Sequence, residues 1–185
     1  MSDDLVLGDM MMIYKKKSKD LRTNYRALGL LNHSYKTFSI VLLQMIVPYI
    51  EPNLSDMQAG FRKGRRCRDN ILILTMAIHH LLRNIESKEH TAGIITYIDF
   101  VAAFDSINHS YMLESLKIYG VPLKYIRLVK AIYIRAAVRV RLQEVGGNRS
   151  YSRPVPIRRG AIQGDISSPV VFLVALDRFL KSTVA

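Results

Sequence analysis

The chain has 185 residues, which is enough for one domain with a hydrophobic core, and its apolar content of 49% excludes a disordered protein. A single cysteine, Cys67, excludes a disulfide framework and indicates a reducing, intracellular compartment, nucleus or cytoplasm. The 27 Lys and Arg residues outnumber the 15 Asp and Glu residues, so the net charge of +12 favours nucleic acid as a partner, with a membrane surface as the alternative.

The first half of the chain carries two helical patterns. Residues 38–50 have the length and composition of a buried helix that Pro48 and Pro52 close, and they fall short of the about 20 residues that a membrane span needs. Residues 69–85 predict a second, well-buried helix with Asp69 as its N-cap. We therefore expect a protein with no membrane partner.

A strand and a helix follow in the middle of the chain. Residues 93–99, rich in isoleucine, predict a short buried strand that ends at Asp99. Residues 108–119 predict a helix with Leu113 and Leu116 inward, which the following Gly120 stops. A carboxylate at the end of an apolar strand is expensive to bury unless it is paired or bound to a metal.

The last third of the chain changes from helical to strand periodicity and back. Residues 138–142 alternate between apolar and polar, which predicts a half-exposed strand with arginines on one face. Residues 146–148 predict a turn, and prolines confine the returning arm, residues 151–157, to a sheet edge. Ser168 can cap a final helix with Pro169 at its first position. The irregular order of strands and helices predicts the α+β class.

Basic residues gather in three separate blocks of the sequence. Blocks that fold around one groove favour a long polyanion over a single small phosphate. Binding to a membrane surface would require the basic residues to lie along one amphipathic helix, and their scattered pattern does not show this. The blocks are Lys15, Lys16, Lys17, Lys19, Arg22 and Arg26; Arg62, Lys63, Arg65, Arg66 and Arg68; and Arg135, Arg139, Arg141, Arg149, Arg153, Arg158 and Arg159.

Four segments, in order, resemble the reverse transcriptases of non-LTR (LINE-type) retrotransposons. Residues 24–36, NYRALGLLNHSYK, are similar to the family motif NYRPISLL…YK, and residues 58–71, QAGFRKGRRCRDNI, are similar to QxGFRKGRSTxDNI. Residues 97–122, YIDFVAAFDSINHSYMLESLKIYGVP, resemble DFxKAFDSIxHxxLxxxLxxxGIP, and residues 158–172, RRGAIQGDISSPVVF, resemble RGVxQGDPLSPxLF. One such segment would be weak, but their common order and spacing are specific.

The resemblance implies roles for individual residues. Asp99 and the backbone carbonyl of Phe100 would help bind Mg²⁺, whereas Asp99 by itself reads as a polar residue at a strand end. Phe104 would exclude the 2′-hydroxyl of an incoming sugar, with core packing as the alternative reading. Arg26 with Lys16 or Lys17 would hold the triphosphate, and each lysine is equally well explained as a solvated charge. The implied nucleotide-binding residues are Phe104, Gln163, Gly164, Arg26, Lys16 and Lys17. The nucleic-acid-binding residues are Arg62, Lys63 and Arg65 of the second motif, to which the charge of the third basic block adds Arg139 and Arg141.

The resemblance also implies the fold and the function. The fold would be part of a right-hand polymerase, with residues 1–92 mostly fingers, 93–120 the palm strand and helix, 121–160 a fingers helix and Arg-rich hairpin, and 161–185 a palm helix. The function would be Mg²⁺-dependent, RNA-directed DNA synthesis from an RNA template, a DNA primer and dNTPs.

The family's [YF]xDD hairpin, which carries its second carboxylate pair, has no match in the sequence. We therefore expect the remainder of the domain, with the palm hairpin and the thumb, to be missing, and this chain to be inactive alone. The alternative is a catalytically inactive, truncated or domesticated remnant that retains nucleic-acid binding.

Overall fold

The computed structural model describes residues 5–86, 94–143 and 149–184, in which helices and a sheet alternate irregularly, as the α+β prediction requires. The chain divides into two compact units, residues 1–53 with 103–185, and residues 54–102. The assignment of segments to fingers and palm, whose boundaries differ from these, stays a prediction. The strands are β1 (Leu7–Tyr14), β2 (Tyr25–Leu30), β3 (Ala137–Gln143), β4 (Arg149–Tyr151) and β5 (Val155–Pro156), and the helices are α1 (His33–Ile50), α2 (Cys67–Glu86), α3 (Ala103–Ser106), α4 (His109–Ile118), α5 (Leu123–Arg135) and α6 (Ser168–Val184).

The sheet of the larger unit has the strand order β2-β1-β3-β4. β1 pairs with β2 in an antiparallel hairpin and with β3 in parallel, where Leu7 lies opposite Ala137. β3 also pairs with the short β5 at its start and with β4 at its end. The alternating strand predicted at residues 138–142 is confirmed. The predicted turn at residues 146–148 lies outside the described residues.

α1 covers part of the core of the larger unit with one stripe of side chains. Asn32 caps it by accepting the N–H of Ser34, so the helix begins five residues before the predicted start at residue 38. The helix runs through Pro48 and ends at Ile50, so the predicted end at residue 50 is confirmed. A proline in the last turn removes one backbone hydrogen bond there, and the buried stripe holds the turn in place. The buried stripe consists of Tyr35, Ser39, Leu42, Ile46 and Ile50.

Three helices, α4, α5 and α6, supply most of the remaining core. In α4 the inward residues are Met112, Ser115 and Leu116, while Leu113, which was predicted to be buried, is only half-buried. At the start of α6 the carbonyl of Ser167 accepts the N–H of Val171, so Ser167 holds the cap position that Ser168 was predicted to hold. Ser168 is the first residue of the helix itself, so the observed cap lies one residue before the predicted cap.

α6 also carries a buried carboxylate, Asp177. The hydroxyl of Tyr119 donates to it at 2.5 Å and the ammonium of Lys181 lies 3.0 Å from it. Lys181 in turn donates to the carbonyl of Asn53 at 2.6 Å. Burial, and then the hydrogen bond to Asp177, raise the pKa of Tyr119 well above its usual value. The carboxylate is thus paired, as a buried charge must be, and fastens α6 to the end of α4.

The smaller unit is built around α2. The prediction that this helix is well buried is wrong, because Ile71, Leu72 and Met76 are exposed. Asp69 is not the N-cap but the third residue of the helix, where its carboxylate accepts the N–H of Arg66 at 3.1 Å. Apolar residues on several faces of a helix do not by themselves predict burial, because burial depends on other elements that pack against the helix.

Residues 94–100 belong to no strand of the described sheet, and the predicted buried strand is therefore wrong. Ile94 is 92% exposed and Ile98 is 72% exposed. A strand is stable only where a neighbouring strand pairs with its backbone N–H and C=O groups, and none of the described strands pairs with this segment. Asp99 is consequently an exposed carboxylate.

Within the described ranges, no helix is long and apolar enough to cross a membrane.

Candidate nucleotide and nucleic-acid site

The turn at Gln163–Gly164 lies directly against β2. A Cβ atom at Gly29 would lie 2.2 Å from the carbonyl oxygen of Gln163, and one at Gly164 would lie 2.3 Å from the carbonyl oxygen of Gly29. Gly164 also has a φ of 82°, a left-handed conformation that favours glycine. The close backbone approach expected at this turn therefore exists, and its partner is the chain's own β2. Contact of Gln163 and Gly164 with a nucleotide stays a prediction.

The residue after this turn, Asp165, is buried and accepts hydrogen bonds from three hydroxyls. Ser39 Oγ donates to it at 2.5 Å, Ser167 Oγ at 2.6 Å and Ser168 Oγ at 3.2 Å. The carboxylate thus joins α1, the turn and the start of α6. Asp165 was not identified from the sequence, although its place between the Gln163–Gly164 turn and the serine pair Ser167–Ser168 is a signal for local hydrogen bonding.

Two tyrosines pack beside this carboxylate. Burial, together with the negative charge of Asp165, raises the pKa of Tyr35 far above its usual value. Burial raises the pKa of Tyr133 to about 12, and its hydroxyl lies 3.4 Å from Ser168 Oγ. Neither tyrosine is ionised near neutral pH, so neither adds a negative charge beside Asp165.

The segment that carries Phe104 is hydrogen-bonded to the residues just before the Gln163–Gly164 turn. The N–H of Ala161 donates to the carbonyl of Phe104 at 2.7 Å, and the N–H of Gly160 donates to that of Ile107 at 2.9 Å. His109 Nε2 lies 2.9 Å from the carbonyl oxygen of Gly160, so this histidine has a structural contact here. These contacts place Phe104 beside Ala161, two residues before Gln163, although Phe104 and Gln163 are far apart in the sequence.

The ring of Phe104 stacks on Phe172 of α6, with centroids 4.2 Å apart and planes inclined by 25°. Phe104 is half-buried, so one part of the ring packs on the protein and another part remains accessible. Both readings of this residue, core packing and contact with a sugar, are therefore compatible with its position. Phe172 was not identified from the sequence, because an apolar residue in a helix carries no sign of its partner.

The triphosphate-binding residues expected from the resemblance share one hairpin. Lys16 and Lys17 lie in the loop between β1 and β2, and Arg26, opposite Ile13, is the second residue of β2. All three side chains are exposed. Arg26 precedes Gly29 by three residues, or about 10 Å along a strand. The hairpin thus presents its positive charge near the tip, while its base contacts the Gln163–Gly164 turn.

The two arginines of β3 project from one face of the sheet, as the alternation predicted. Arg139 Nε lies 2.6 Å from Asp9 Oδ1, and its guanidinium lies 4.1 Å from the centre of the Tyr151 ring. Arg141 Nη1 lies 3.8 Å from the sulfur of Met11. The charge of Arg139 is therefore compensated within the protein, whereas Arg141 contacts a neutral neighbour.

In the smaller unit, the basic loop before α2 uses part of its charge internally. Arg62 Nη1 donates to the carbonyls of Ser55 at 2.7 Å and of Gln58 at 3.3 Å. Arg65 lies 2.7 Å from Asp56 in an exposed ion pair. Lys63 is exposed. The contact of Arg62, Lys63 and Arg65 with a template stays a prediction.

Asp99 and Phe100, the expected metal ligands, lie in the irregular segment of the smaller unit. Within residues 5–86, 94–143 and 149–184, no group of three or more His, Cys, Asp or Glu side chains is arranged to hold a metal ion. Mg²⁺ requires about six oxygen ligands in near-octahedral geometry. Asp99 offers the hard oxygen atoms that such an ion prefers, but the described residues fit only part of its shell.

The larger unit combines a sheet, helices and a basic hairpin that rests on a glycine turn, and this mixed architecture is consistent with part of the fingers and palm of a polymerase. Residues 13–184 match the sequence family described as reverse transcriptase (RNA-dependent DNA polymerase), and the chain belongs to this family. The RNA-dependent DNA polymerase activity in this description is that of the family, whose members generally use a divalent metal.

The similar proteins come from retrotransposons. The chain is 29% identical over 130 residues to the Retrovirus-related Pol polyprotein from type-2 retrotransposable element R2DM of Drosophila melanogaster, a match that covers 70% of the chain and 11% of that protein. It is 28% identical over 174 residues to the Probable RNA-directed DNA polymerase from transposon BS of the same organism, covering 91% and 18%. It is 25% identical over 173 residues to the Transposon TX1 uncharacterized 149 kDa protein of Xenopus laevis, covering 91% and 12%.

The chain thus spans less than a fifth of the length of these curated relatives. The resemblance to non-LTR retrotransposon reverse transcriptases is confirmed.

Proposed function

We propose that this chain provides the nucleotide-binding and template-binding surfaces of an RNA-directed DNA polymerase from a retrotransposon-type element, acting on an RNA template, a DNA primer and dNTPs inside the cell, in nucleus or cytoplasm. The observation that carries the proposal is the hydrogen bond from Ala161 N–H to the carbonyl of Phe104, 2.7 Å long. It joins two segments that the sequence separates widely and that both match motifs of the family.

The chain's own residues would bind and orient the nucleotide. The planar guanidinium of Arg26 suits bidentate contact with phosphate oxygens, and Lys16 or Lys17 on the same hairpin would add a second positive charge. The accessible part of the Phe104 ring would contact C2′ of the sugar and leave no room for a 2′-hydroxyl. Of the predicted template-binding residues, Lys63, Arg65 and Arg141 would hold the template through its phosphates. Arg62, which donates to two backbone carbonyls, would instead order the loop that carries Lys63, and Arg139 would stay paired with Asp9.

We propose Mg²⁺ as the divalent metal. The carboxylate of Asp99 and the carbonyl oxygen of Phe100 would hold it, because both are the hard oxygen ligands that this ion prefers. When bound, the metal would neutralise charge on the triphosphate and favour ionisation of the primer hydroxyl. Since the described residues hold no cluster of three acidic or histidine groups, this chain would supply only part of the coordination shell.

The test replaces the matching residues of the Drosophila R2DM polyprotein with this chain and measures primer extension on an RNA template with Mg²⁺. Asp99→Asn should abolish extension in this fusion. Asp105→Asn is the matched control, because Asp105 is an exposed carboxylate of the same motif that receives no role as a metal ligand. If extension is equal with and without Asp99, the proposed role of this carboxylate is wrong.

A nucleic-acid-binding protein without catalysis is the second candidate. It is favoured by two observations: no aromatic-x-Asp-Asp sequence occurs in the chain, and the described residues hold no cluster of metal-binding side chains. We expect the 185-residue chain alone to bind RNA and to give no primer extension. Extension by the chain alone that is lost in Asp99→Asn would exclude this candidate.

A further inference from the structure

A cavity of about 450 Å³ opens between the first three strands of the larger unit and the start of α1. Its volume lies within the range of sites that bind small organic groups, about 300 to 1,000 Å³. Three leucines form apolar walls, and three polar side chains face them. The lining residues are Leu7, Asp9, Leu30, Leu31, Asn32 and Arg139. Neither the Gln163–Gly164 turn (the QG turn) nor Phe104 lines this cavity.

The polar side of the cavity is electrically compensated. Asp9 and Arg139 form an ion pair of 2.6 Å, and their side chains are 27% and 35% exposed. Stacking on the Tyr151 ring, 4.1 Å from the guanidinium, holds Arg139 in place. Asn32 accepts the Ser34 N–H through Oδ1, which leaves its NH₂ group as a donor. Such a site offers donors and an acceptor with no net charge, and it therefore suits a neutral ligand better than a phosphate.

We propose that this cavity binds an unpaired nucleobase of a single-stranded RNA, an inference that rests on the proposed function. A nucleobase has flat apolar faces and an edge of donors and acceptors, which match the leucine walls and the polar groups respectively. The strand register places Arg26 on the same face of the sheet as Leu30, and Arg141 on the same face as Arg139. Both arginines lie beyond the cavity toward the C-terminal end of β1, Arg26 opposite Ile13 and Arg141 beside Met11, where they can contact phosphates of the strand that carries the bound base.

The test measures binding of the 185-residue chain to a short unstructured RNA and to the same strand made abasic, each over a series of salt concentrations. The wild-type chain should prefer the base-bearing strand by about tenfold. Asp9→Asn should remove most of this preference, and it should steepen the log–log salt dependence by about 0.7, because Arg139 becomes available to one phosphate. A purely structural role of Asp9 would not produce both changes.

Leu30→Ala is the second variant. It truncates a side chain that forms one apolar wall of the cavity and is 38% exposed. It should lower the preference for bases without changing the salt dependence. Leu128→Ala, in which the side chain is also 38% exposed but lies on α5 away from the cavity, should change neither quantity. Circular dichroism of each variant checks that it folds.

The outcomes separate this inference from the proposed function. Equal binding of base-bearing and abasic RNA by the wild-type chain would overturn the cavity assignment and leave RNA binding intact. Loss of the base preference in excess free dATP would assign the cavity to the incoming nucleotide and overturn its assignment to the RNA strand. If neither RNA binds, the template role proposed for the chain fails as well.

Discussion

Gly29 of β2 and Gly164 of the QG turn meet backbone to backbone, so closely that neither position has space for a methyl group. The base of the β1–β2 hairpin is thereby held on the turn that precedes α6. The family motif NYRPISLL has serine where this chain has Gly29. In this chain the hairpin can therefore approach the turn more closely than a side chain at position 29 would allow.

Alanine at either glycine should destabilise the chain. We expect Gly29→Ala to cost about 1–3 kcal/mol, because its Cβ would collide with the rigid backbone of Gln163. Gly64→Ala is the matched control for Gly164→Ala, since both residues have a φ near 80° (79° and 82°) and no atom lies within 4 Å of a Cβ at Gly64. Urea unfolding followed by circular dichroism should show the larger loss for Gly164→Ala, and equal losses would remove the close contact as the cause.

Replacement of Asp165 should loosen the junction of α1, the turn and α6. Asp165→Asn keeps the volume but replaces one acceptor oxygen with a donor, which faces hydroxyls that now donate to the carboxylate. We expect a loss of about 1–3 kcal/mol in the free energy of unfolding, because buried polar groups lose their partners. Asp105→Asn, at an exposed site, should stay within about 0.5 kcal/mol of wild type. A loss of similar size in both variants would contradict the proposed junction.

Stability should fall at alkaline pH in a way that depends on Tyr133. Burial raises the pKa of this tyrosine from 10.0 in the unfolded chain to about 12 in the folded chain. The contribution of the neutral tyrosine is therefore complete below pH 10.0 and is lost as pH rises toward about 12, by up to about 1.4 kcal/mol per pH unit. Tyr133→Phe should lack this part of the loss.

The measurement for Tyr133 is urea unfolding from neutral pH to above pH 10, followed by circular dichroism because the chain contains no tryptophan. The pKa values of Tyr35 and Tyr119 are also raised, so ionisation of these tyrosines lowers the stability of both proteins in the same direction. The difference between wild type and Tyr133→Phe therefore reports Tyr133 together with its electrostatic effect on the neighbouring Tyr35. A difference that does not vary with pH would refute the prediction.

Sugar selection should depend on Phe104 and much less on the ring that supports it. In the fusion with the R2DM polyprotein, Phe104→Ala should raise the use of rNTPs relative to dNTPs, because the 2′-hydroxyl would then have space. Phe172→Ala removes the other half of the stack, whose centroids lie 4.2 Å apart, and should lower stability with a smaller change in selection. Equal changes in the two variants would show that Phe104 acts only through core packing.

Two neighbouring basic residues should affect RNA binding differently. Lys63→Ala should flatten the log–log salt dependence of binding by about 0.7, as expected for one lost phosphate contact. Arg62→Ala should instead lower the stability of the loop, since its guanidinium donates to the carbonyls of Ser55 and Gln58. Salt titrations and thermal unfolding of both variants separate the two effects. A flattened slope for Arg62 alone would reverse these assignments.

Local patterns predicted the elements that contain their own signals. The alternation at residues 138–142 predicted β3, and the apolar content predicted α1, α2 and α6. β1 was missed because its segment, LGDMMMIY, lacks the alternation of polar and apolar residues that marks a half-buried strand. The start of α1 was predicted too late because Asn32 was not recognised as its cap, and the start of α6 differs by one residue because Ser167 and Ser168 can both cap a helix.

What depends on distant partners could not be predicted. The isoleucine-rich segment before Asp99 has the composition of a strand, but composition does not supply the neighbour whose backbone must pair with it. Asp165 and Ser39 meet because α1 and the QG turn pack together, and neither residue shows this in its own segment. Arg139 was predicted to bind nucleic acid from charge alone, and its pairing with Asp9 follows from the register of β1 and β3.

The parallel pairing of β1 with β3 also constrains how the chain folds. Leu7 meets Ala137, so this ladder cannot form until the intervening chain has been synthesised or has collapsed. The β1–β2 hairpin, whose strands are neighbours in sequence, can close within microseconds, whereas contacts between distant residues form slowly because loop closure costs entropy first. During that interval β1 exposes an unpaired edge, a template for association with other chains. We therefore expect slow refolding after dilution from denaturant, with a yield that falls as protein concentration rises.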